Sequence, residues 1–450
     1  MTLGPGIGSG TSEGESLRGS PDVLAQRFFR GLPNVEKDKI LSVGERFRAA
    51  KQDFLEGRIA VEPINLGVGT FVDDRGMVPR MISVQTVIDA TEKDHNFRMQ
   101  NGYFPITGVP SFCRGVENFY LGEELAAELR RDHRLVTVQG LGGTGAYRLG
   151  TELAKRSGTS EIYVSDPTWG NHLNIAADVG LGSPTYPYLD REAYRLNADG
   201  MRLGIATAPA GSVISLQPSA HNSTSFTPSR EQWDETIEVM KDKGHTAFFD
   251  VAYALLDGKT ISEHMYPVVK SIEEGIPVMV AVSFSKNATL YKERVGALIT
   301  VMPPKLDGGA SSAKEDAERV TNNLSAIIRR MYSSPPALHA AAMGDILNDG
   351  MMRGVWKSEA VEQSVTIQDG RDLFVAGSVA RGLPVGNVDK GAGMFFLGAY
   401  PDAVVGMLET DALLFTVGRR FNAAAIKEKN VDEILNRVVD TYQKLGLSPA

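Results

Sequence analysis

The stretch RLVTVQGLGGTGAYRLGTELAKR, Arg134–Arg156, reads as a buried strand, a glycine-rich turn and a helix within 23 residues. The apolar run RLVTVQG has strand length, and GAYRLGTELAKR has the spacing of an amphipathic helix. A turn of this kind places unpaired backbone N–H groups and the positive end of the helix dipole at one point, where an anion such as phosphate is favoured. The glycines also match GxGxxG at Gly140, Gly142 and Gly145, with Asp166 ending the next strand-like run, as in a dinucleotide-binding unit. Taken alone, the match equally fits a plain tight turn.

Working outward, the runs EIYVSD, SVISLQ, TAFFDVA, VMVAVSF and GALITVM follow, separated by helix-length segments such as SREQWDETIEVMKDKG and ISEHMYPVVKSIEEG. That alternation predicts an α/β fold whose mostly parallel sheet is covered by helices on both faces. After Pro304 the pattern changes. SSAKEDAERVTNNLSAIIRRMY reads as a long helix, PPALHAAAMGDILNDG and SEAVEQSVTIQDGRDLFVAG as two more, and strands are expected near GAGMFFLG, ALLFTV and FNAAAI before a closing helix. The expected organisation is a flexible tail over 1–20, an N-terminal segment 21–75 that joins a small domain, a large domain 76–310, and a long connecting helix with the small C-terminal domain over 311–450.

Composition narrows the function classes. A formal charge of -8 and a pI near 5.5 offer no basic field for nucleic acid or an anionic membrane. No apolar stretch reaches the ~18 residues that span a bilayer. The single Cys113 rules out an internal disulfide and a cysteine-based zinc site, so no metal centre is expected and a reducing cytoplasm suits the chain.

The chemistry centres on VSFSKNATLYKERVGAL, Val282–Leu298, where Lys286 lies just past an apolar strand, with Ser283 before it and Arg294 after it. A lysine at the end of a buried strand loses hydration, which disfavours its charged form unless an amine is needed there. Trp169 in SDPTWGNH, His221 and Asn222 in AHNSTSFTP, and Asp250 and Tyr253 in FFDVAY all follow strand-like runs. In a parallel sheet the carboxyl ends of the strands share an edge, so these residues converge with the glycine turn and Lys286. An amine, a carboxylate, an aromatic face and a phosphate cradle together suit pyridoxal 5'-phosphate (PLP). A nicotinamide oxidoreductase would leave Lys286, Asp250 and Trp169 idle.

The order and wording of NLGVGTF, YFPITG, TVQGLGGTGAYRLG, SDPTWGNH, AHNSTS, FFDVAY, SFSKNATLYKERVG, YSSPP and GRRFN, spanning Asn65 to Asn422, resemble the aspartate aminotransferase branch of the class I, fold type I, PLP-dependent enzymes. The resemblance implies a large domain with a mostly parallel seven-stranded sheet sandwiched by helices, plus a smaller α/β domain. It implies that Lys286 holds the cofactor aldehyde as a Schiff base and moves the Cα proton. Asp250 keeps the pyridine nitrogen protonated, Asn222 and Tyr253 reach the ring's phenolic oxygen, and Trp169 stacks on the ring. The phosphate takes Gly143, Thr144, Ser283 and Arg294, with Tyr103 from a neighbouring subunit. Arg420 reads the substrate α-carboxylate, with Arg419 a competitor for the role, and Gly69, Trp169 and Asn222 complete the substrate contacts. Arg329 reads a distal carboxylate from the partner chain. A cytoplasmic homodimer acting on an α-amino acid and a 2-oxo acid follows.

Some positions depart from the family wording. Asn222-Ser223-Thr224-Ser225 stands where Asn-Pro-Thr-Gly is usual, Gly142 replaces a common serine, and Asn287-Ala288-Thr289 replaces Asn-Phe-Gly. The charged, helix-like segment 34–61 is longer than the usual lead-in. These differences leave a rival open: γ-elimination, γ-replacement or carbon–carbon bond formation on S-adenosylmethionine or a similar amino acid.

Overall fold

The computed structural model describes residues 31–35, 37, 39–73, 75–99, 102–304, 312–386 and 388–449, so the tail expected over 1–20 lies outside the described residues. In chain order the elements that position the site are α1 (Lys39–Leu55), β1 (Ile64–Asn65), α2 (Ile82–Lys93), α3 (Pro110–Leu121), β2 (Leu135–Leu141), α4 (Gly142–Arg156), β3 (Ile162–Asp166), α5 (Gly170–Val179), β4 (Thr185–Pro187), β5 (Val213–Leu216), α6 (Arg230–Asp242), β6 (Thr246–Val251), β7 (Val278–Ser283) and β8 (Val295–Val301). They are followed by α7 (Ala313–Met331), α8 (Leu338–Asn348), α9 (Gly350–Ala380), β9 (Phe395–Leu397), β10 (Leu414–Phe415), β11 (Arg420–Asn422) and α10 (Glu428–Lys444).

Seven strands form the central sheet in the order β2-β8-β7-β6-β5-β3-β4. All neighbours pair in parallel except β8, which runs antiparallel to β2 and to β7. The exception has a local cause. A parallel crossover needs about a dozen residues and usually a helix, whereas β7 and β8 are joined by the short Phe284–Arg294 loop without one. Every residue of β7 and β8 is buried, so neither strand alternates apolar with polar residues, as expected where helices cover both faces.

One face of the sheet carries α2, α3, α6 and α8, with Phe112, Trp233 and Met343 among the buried residues. The other carries α4, α5 and α7 over Tyr147, Phe248 and Leu298. Phe248 stacks on Tyr147 at 4.4 Å, and Gly150 makes the space for it: a Cβ there would lie 2.4 Å from the ring. Ser229 and Ser312 each accept from the backbone N–H three residues on while Gln232 and Glu315 reach back, closing capping boxes that start α6 and α7. A separate apolar cluster, including Leu66, Phe374, Phe396, Phe421 and Ile434, gathers the C-terminal residues with the segment before Phe71. Pairing of β1 with β10 ties the N-terminal segment into it.

Three details differ from the sequence expectation. ISEHMYPVVKSIEEG forms two short helices, Ile261–His264 and Tyr266–Glu273, because Pro267 can start a helix but not continue one. The helix expected from Ser358 begins at Gly350, where Asp349 accepts from Met352 N–H at 2.8 Å, and runs 31 residues. FNAAAI is a strand only to Asn422 and then a 3-10 turn over Ala423–Ala425. Among the described residues no helix is long and apolar enough to cross a membrane.

Candidate active site

The carboxyl ends of β2, β3, β5, β6 and β7 open on one edge of the sheet, and the reversed β8 presents its amino end there. That reversal is what delivers Arg294 beside residues at the ends of the parallel strands. Together these ends line a cavity of about 400 Å3.

At one end of the cavity, Gly143 and Thr144 open α4, with Ser283, Ser285 and Arg294 facing them. Arg294 donates to Ser285 Oγ at 3.1 Å and to the Tyr291 carbonyl at 2.8 Å, and its own carbonyl accepts from Gly142 N–H at 2.9 Å. Gly142 has φ +68°, and a Cβ there would sit 2.5 Å from the Arg294 guanidinium. A helix N-terminus, three hydroxyls and a guanidinium are together suited to hold an anion such as phosphate.

In the middle, Lys286 Nζ lies 4.8 Å from the centroid of the Tyr253 ring. Desolvation pushes its amine down to about 8; Asp250 opposes the shift, and Arg420 and Arg294 add to it. Asp250, the fifth residue of the buried strand β6, has its Oδ2 3.1 Å from His172 Nε2. Since a carboxylate only accepts, Nε2 donates to it, while Nδ1 lies 2.8 Å from the Thr168 hydroxyl. His172 packs on Tyr147 at 4.5 Å and edge-on to Trp169 at 5.3 Å. The Tyr253 hydroxyl is buried without a hydrogen-bond partner among the described residues, and burial raises its pKa. An orphaned hydroxyl lining a cavity is the signature of a site completed by a ligand.

At the other end, Arg420 donates to Asn222 Oδ1 at 3.3 Å and to the Gly67 carbonyl at 3.1 Å, and its guanidinium lies 3.9 Å from the Phe395 ring centroid. The two adjacent arginines are placed differently: Arg419 ends the turn before β11 and Arg420 begins the strand. Arg420 is buried in the cavity wall, while Arg419 turns outward to Asp402 at 2.6 Å and Tyr194 Oη at 2.7 Å.

The structure thus brings Gly69, Gly143, Thr144, Trp169, Asn222, Asp250, Tyr253, Ser283, Lys286, Arg294 and Arg420 to one cavity. It does not bring Tyr103 or Arg329 there. Tyr103 is 94% exposed, and Arg329 is exposed on α7, bonded to the Ser333 hydroxyl. Asp166, the acid of the dinucleotide reading, pairs with Arg191 at 3.0 Å and does not line the cavity. Sequence reasoning missed His172, Ser285, Tyr291 and Phe395. His172 had a signal, since it ends the SDPTWGNH motif almost one helical turn past Trp169. Tyr291, whose hydroxyl accepts from Phe71 N–H at 2.9 Å, had none.

The family described as aminotransferase class I and II matches residues 61–438. Aspartate aminotransferase of Pseudomonas aeruginosa is 31% identical over 92% of this chain and 99% of its own. The crystal structure of an aromatic-amino-acid aminotransferase from Burkholderia pseudomallei, covalently bound to pyridoxal phosphate, superposes with a TM-score of 0.81 at 28% identity, covering 92% of this chain and 99% of that one. Aspartate aminotransferase from Saccharomyces cerevisiae cytoplasm gives 0.85 at 26% identity, with 93% and 99% covered.

Proposed function

The chain belongs to the class I and II aminotransferases, with pyridoxal phosphate as cofactor, and from that premise we propose that it exchanges the amino group of a dicarboxylic α-amino acid with a 2-oxo acid, as a homodimer. The observation that carries this reading is the cavity itself, which one desolvated amine, a carboxylate and an anion cradle line together.

The residues present fit the cofactor. Gly143, Thr144, Ser283, Ser285 and Arg294 would hold its phosphate, Asp250 the pyridine nitrogen, Trp169 a ring face, and the orphaned Tyr253 hydroxyl a ring oxygen. With its Oδ1 engaged by Arg420, Asn222 offers Nδ2 to the same oxygen. Bound there, pyridoxal phosphate supplies an aldehyde that condenses with amines and a cationic ring that draws electrons from the substrate Cα.

The chain's own residues do the rest. Lys286, with its amine near 8, is partly neutral at physiological pH, the form in which its Nζ would hold the cofactor's aldehyde. Its Nζ would also take the Cα proton as the base and return one as the acid. Asp250 would hold the proton of the ring nitrogen, and its hydrogen bond with His172 fixes its orientation. Arg420 pairs with the α-carboxylate as a planar fork against a planar acceptor and so orients the Cα–H bond.

Support for the dimer lies on the surface. Met77, Ile82, Met99 and Tyr103 are large apolar side chains all more than 60% exposed, within 27 residues of one another in sequence. In a dimer, Tyr103 and Arg329 would reach the partner's cavity, Arg329 for the second carboxylate. The unpaired thiol of Cys113 suits a cytoplasmic location. The relatives found are aminotransferases over nearly their full length, which does not favour the S-adenosylmethionine rival.

The test mixes the yellow holoenzyme with single amino acids. Aspartate or glutamate should bleach the aldehyde band to the pyridoxamine form faster than phenylalanine or tyrosine does. Equal rates would reject the dicarboxylate assignment. Borohydride followed by peptide mapping should place the reduced cofactor on Lys286, and Lys286→Ala should fold yet not turn over.

A further inference from the structure

We propose that Gln217 is a positioning residue for the substrate-carboxylate site, holding Asn222 so that its side chain can orient Arg420; this rests on the reading of Arg420 given above. Gln217 is buried, immediately after β5. Its amide closes on both polar backbone groups of one residue: Oε1 accepts from Asn222 N–H at 2.8 Å, and Nε2 donates to the Asn222 carbonyl at 3.3 Å. A side chain that satisfies the donor and the acceptor of a single peptide residue fixes that residue's position and orientation together.

The turn has need of such a clamp. The segment Asn222-Ser223-Thr224-Ser225 contains neither proline to fix φ nor glycine to relieve a positive φ, and Ser225 sits at φ +68°. Its other anchors act on the neighbours of Asn222. His221 is held between Ser165 Oγ at 2.8 Å and Thr224 Oγ1 at 3.0 Å, and Ser225 Oγ accepts from Arg371 at 3.4 Å. Only Gln217 holds the backbone of Asn222 by its side chain among the described residues, and Asn222 Oδ1 in turn accepts from Arg420.

Exchanging the amide of Gln217 therefore changes carboxylate recognition without touching the substrate. Gln217→Met keeps the length and removes both hydrogen bonds. Gln217→Glu keeps the acceptor and sets a charged oxygen against the Asn222 carbonyl until it is protonated, when its O–H can donate as the amide did.

Succinate, which carries two carboxylates and no amine, reads this directly by calorimetric titration of the holoenzyme. Relative to wild type at the same pH, Gln217→Met should bind succinate about tenfold more weakly at both pH 6 and pH 8.5. Gln217→Glu should show a comparable deficit at pH 8.5 that shrinks to within about threefold at pH 6. A general loss of packing would not be rescued by acid. Wild-type affinity in Gln217→Met, or a Gln217→Glu deficit equal at the two pH values, overturns the proposal; should Gln217→Met fail to fold, the pH dependence of Gln217→Glu decides alone. Arg420→Met separates the two readings. If it binds succinate as wild type does, the carboxylate assignment is wrong; if it loses binding while neither Gln217 variant does, only the role of Gln217 is wrong.

Discussion

His172 Nε2 lies 3.1 Å from Asp250 Oδ2, although 78 residues separate them in the chain, and both side chains are buried. A hydrogen bond to a buried charged group contributes about 1.5–3 kcal/mol. His172→Phe keeps an aromatic ring between Tyr147 and Trp169 and removes the donor. Cofactor affinity, measured by equilibrium dialysis, should fall by about ten- to a hundredfold, the equivalent of that loss. An unchanged dissociation constant would mean that Asp250 needs no orienting partner.

Burial lowers the Lys286 amine to about 8 in the protein without its cofactor, so the reactive neutral form appears above that pH rather than near the ordinary lysine value. Labelling of the apoenzyme with an amine-selective acylating reagent, followed by peptide mapping, should titrate Lys286 with a midpoint near 8. Asp250 favours the charged amine, so Asp250→Asn should move the midpoint down; Arg294 disfavours it, so Arg294→Met should move it up. Shifts in the opposite directions would show that these charges do not govern the amine.

Gly142→Ala combines two penalties. The residue must keep φ near +68°, which costs about 1–2 kcal/mol for a residue with a Cβ, and the added methyl would lie 2.5 Å from the Arg294 guanidinium. Arg294 must move away from the cradle to make room. Thermal unfolding should show a lower Tm, and inorganic phosphate should protect the apoenzyme against heat less than it protects wild type. Full protection would argue that Arg294 is not required at the anion end.

Ile82 and Met99 are 77% and 68% exposed. If this surface joins two subunits, Ile82→Glu should shift the sedimentation coefficient from dimer to monomer and remove transaminase activity together. A wild-type chain that sediments as a monomer at micromolar concentration would end the dimer proposal.

Much of this was legible in the sequence because local rules decided it. The runs of β6 and β7 are mostly apolar, so their burial on both faces could be read directly, and the residues at their carboxyl ends had to meet at the shared sheet edge. Direction was harder: nothing in GALITVM says that β8 runs antiparallel, since the cause is the short loop before it. The choice of Arg420 over Arg419 needed the register of β9 against β11, where Leu397 faces Arg420. Gln217 and Tyr291 carried no signal, because the polar groups they serve are defined only once the turn at Asn222 and the loop before Phe71 are folded.

Helix α9 is buried at Trp356 and Ala360 in the apolar cluster of the large sheet and at Ile367 and Phe374 in the C-terminal cluster. At about 1.5 Å per residue its 31 residues form a rod some 46 Å long that both hydrophobic interiors use as a wall. Neither interior can lose its side of that rod without exposing the other's. Heating should therefore melt both interiors in one calorimetric transition, and a proline introduced at Ser364, between Ala360 of one cluster and Ile367 of the other, should split that peak in two.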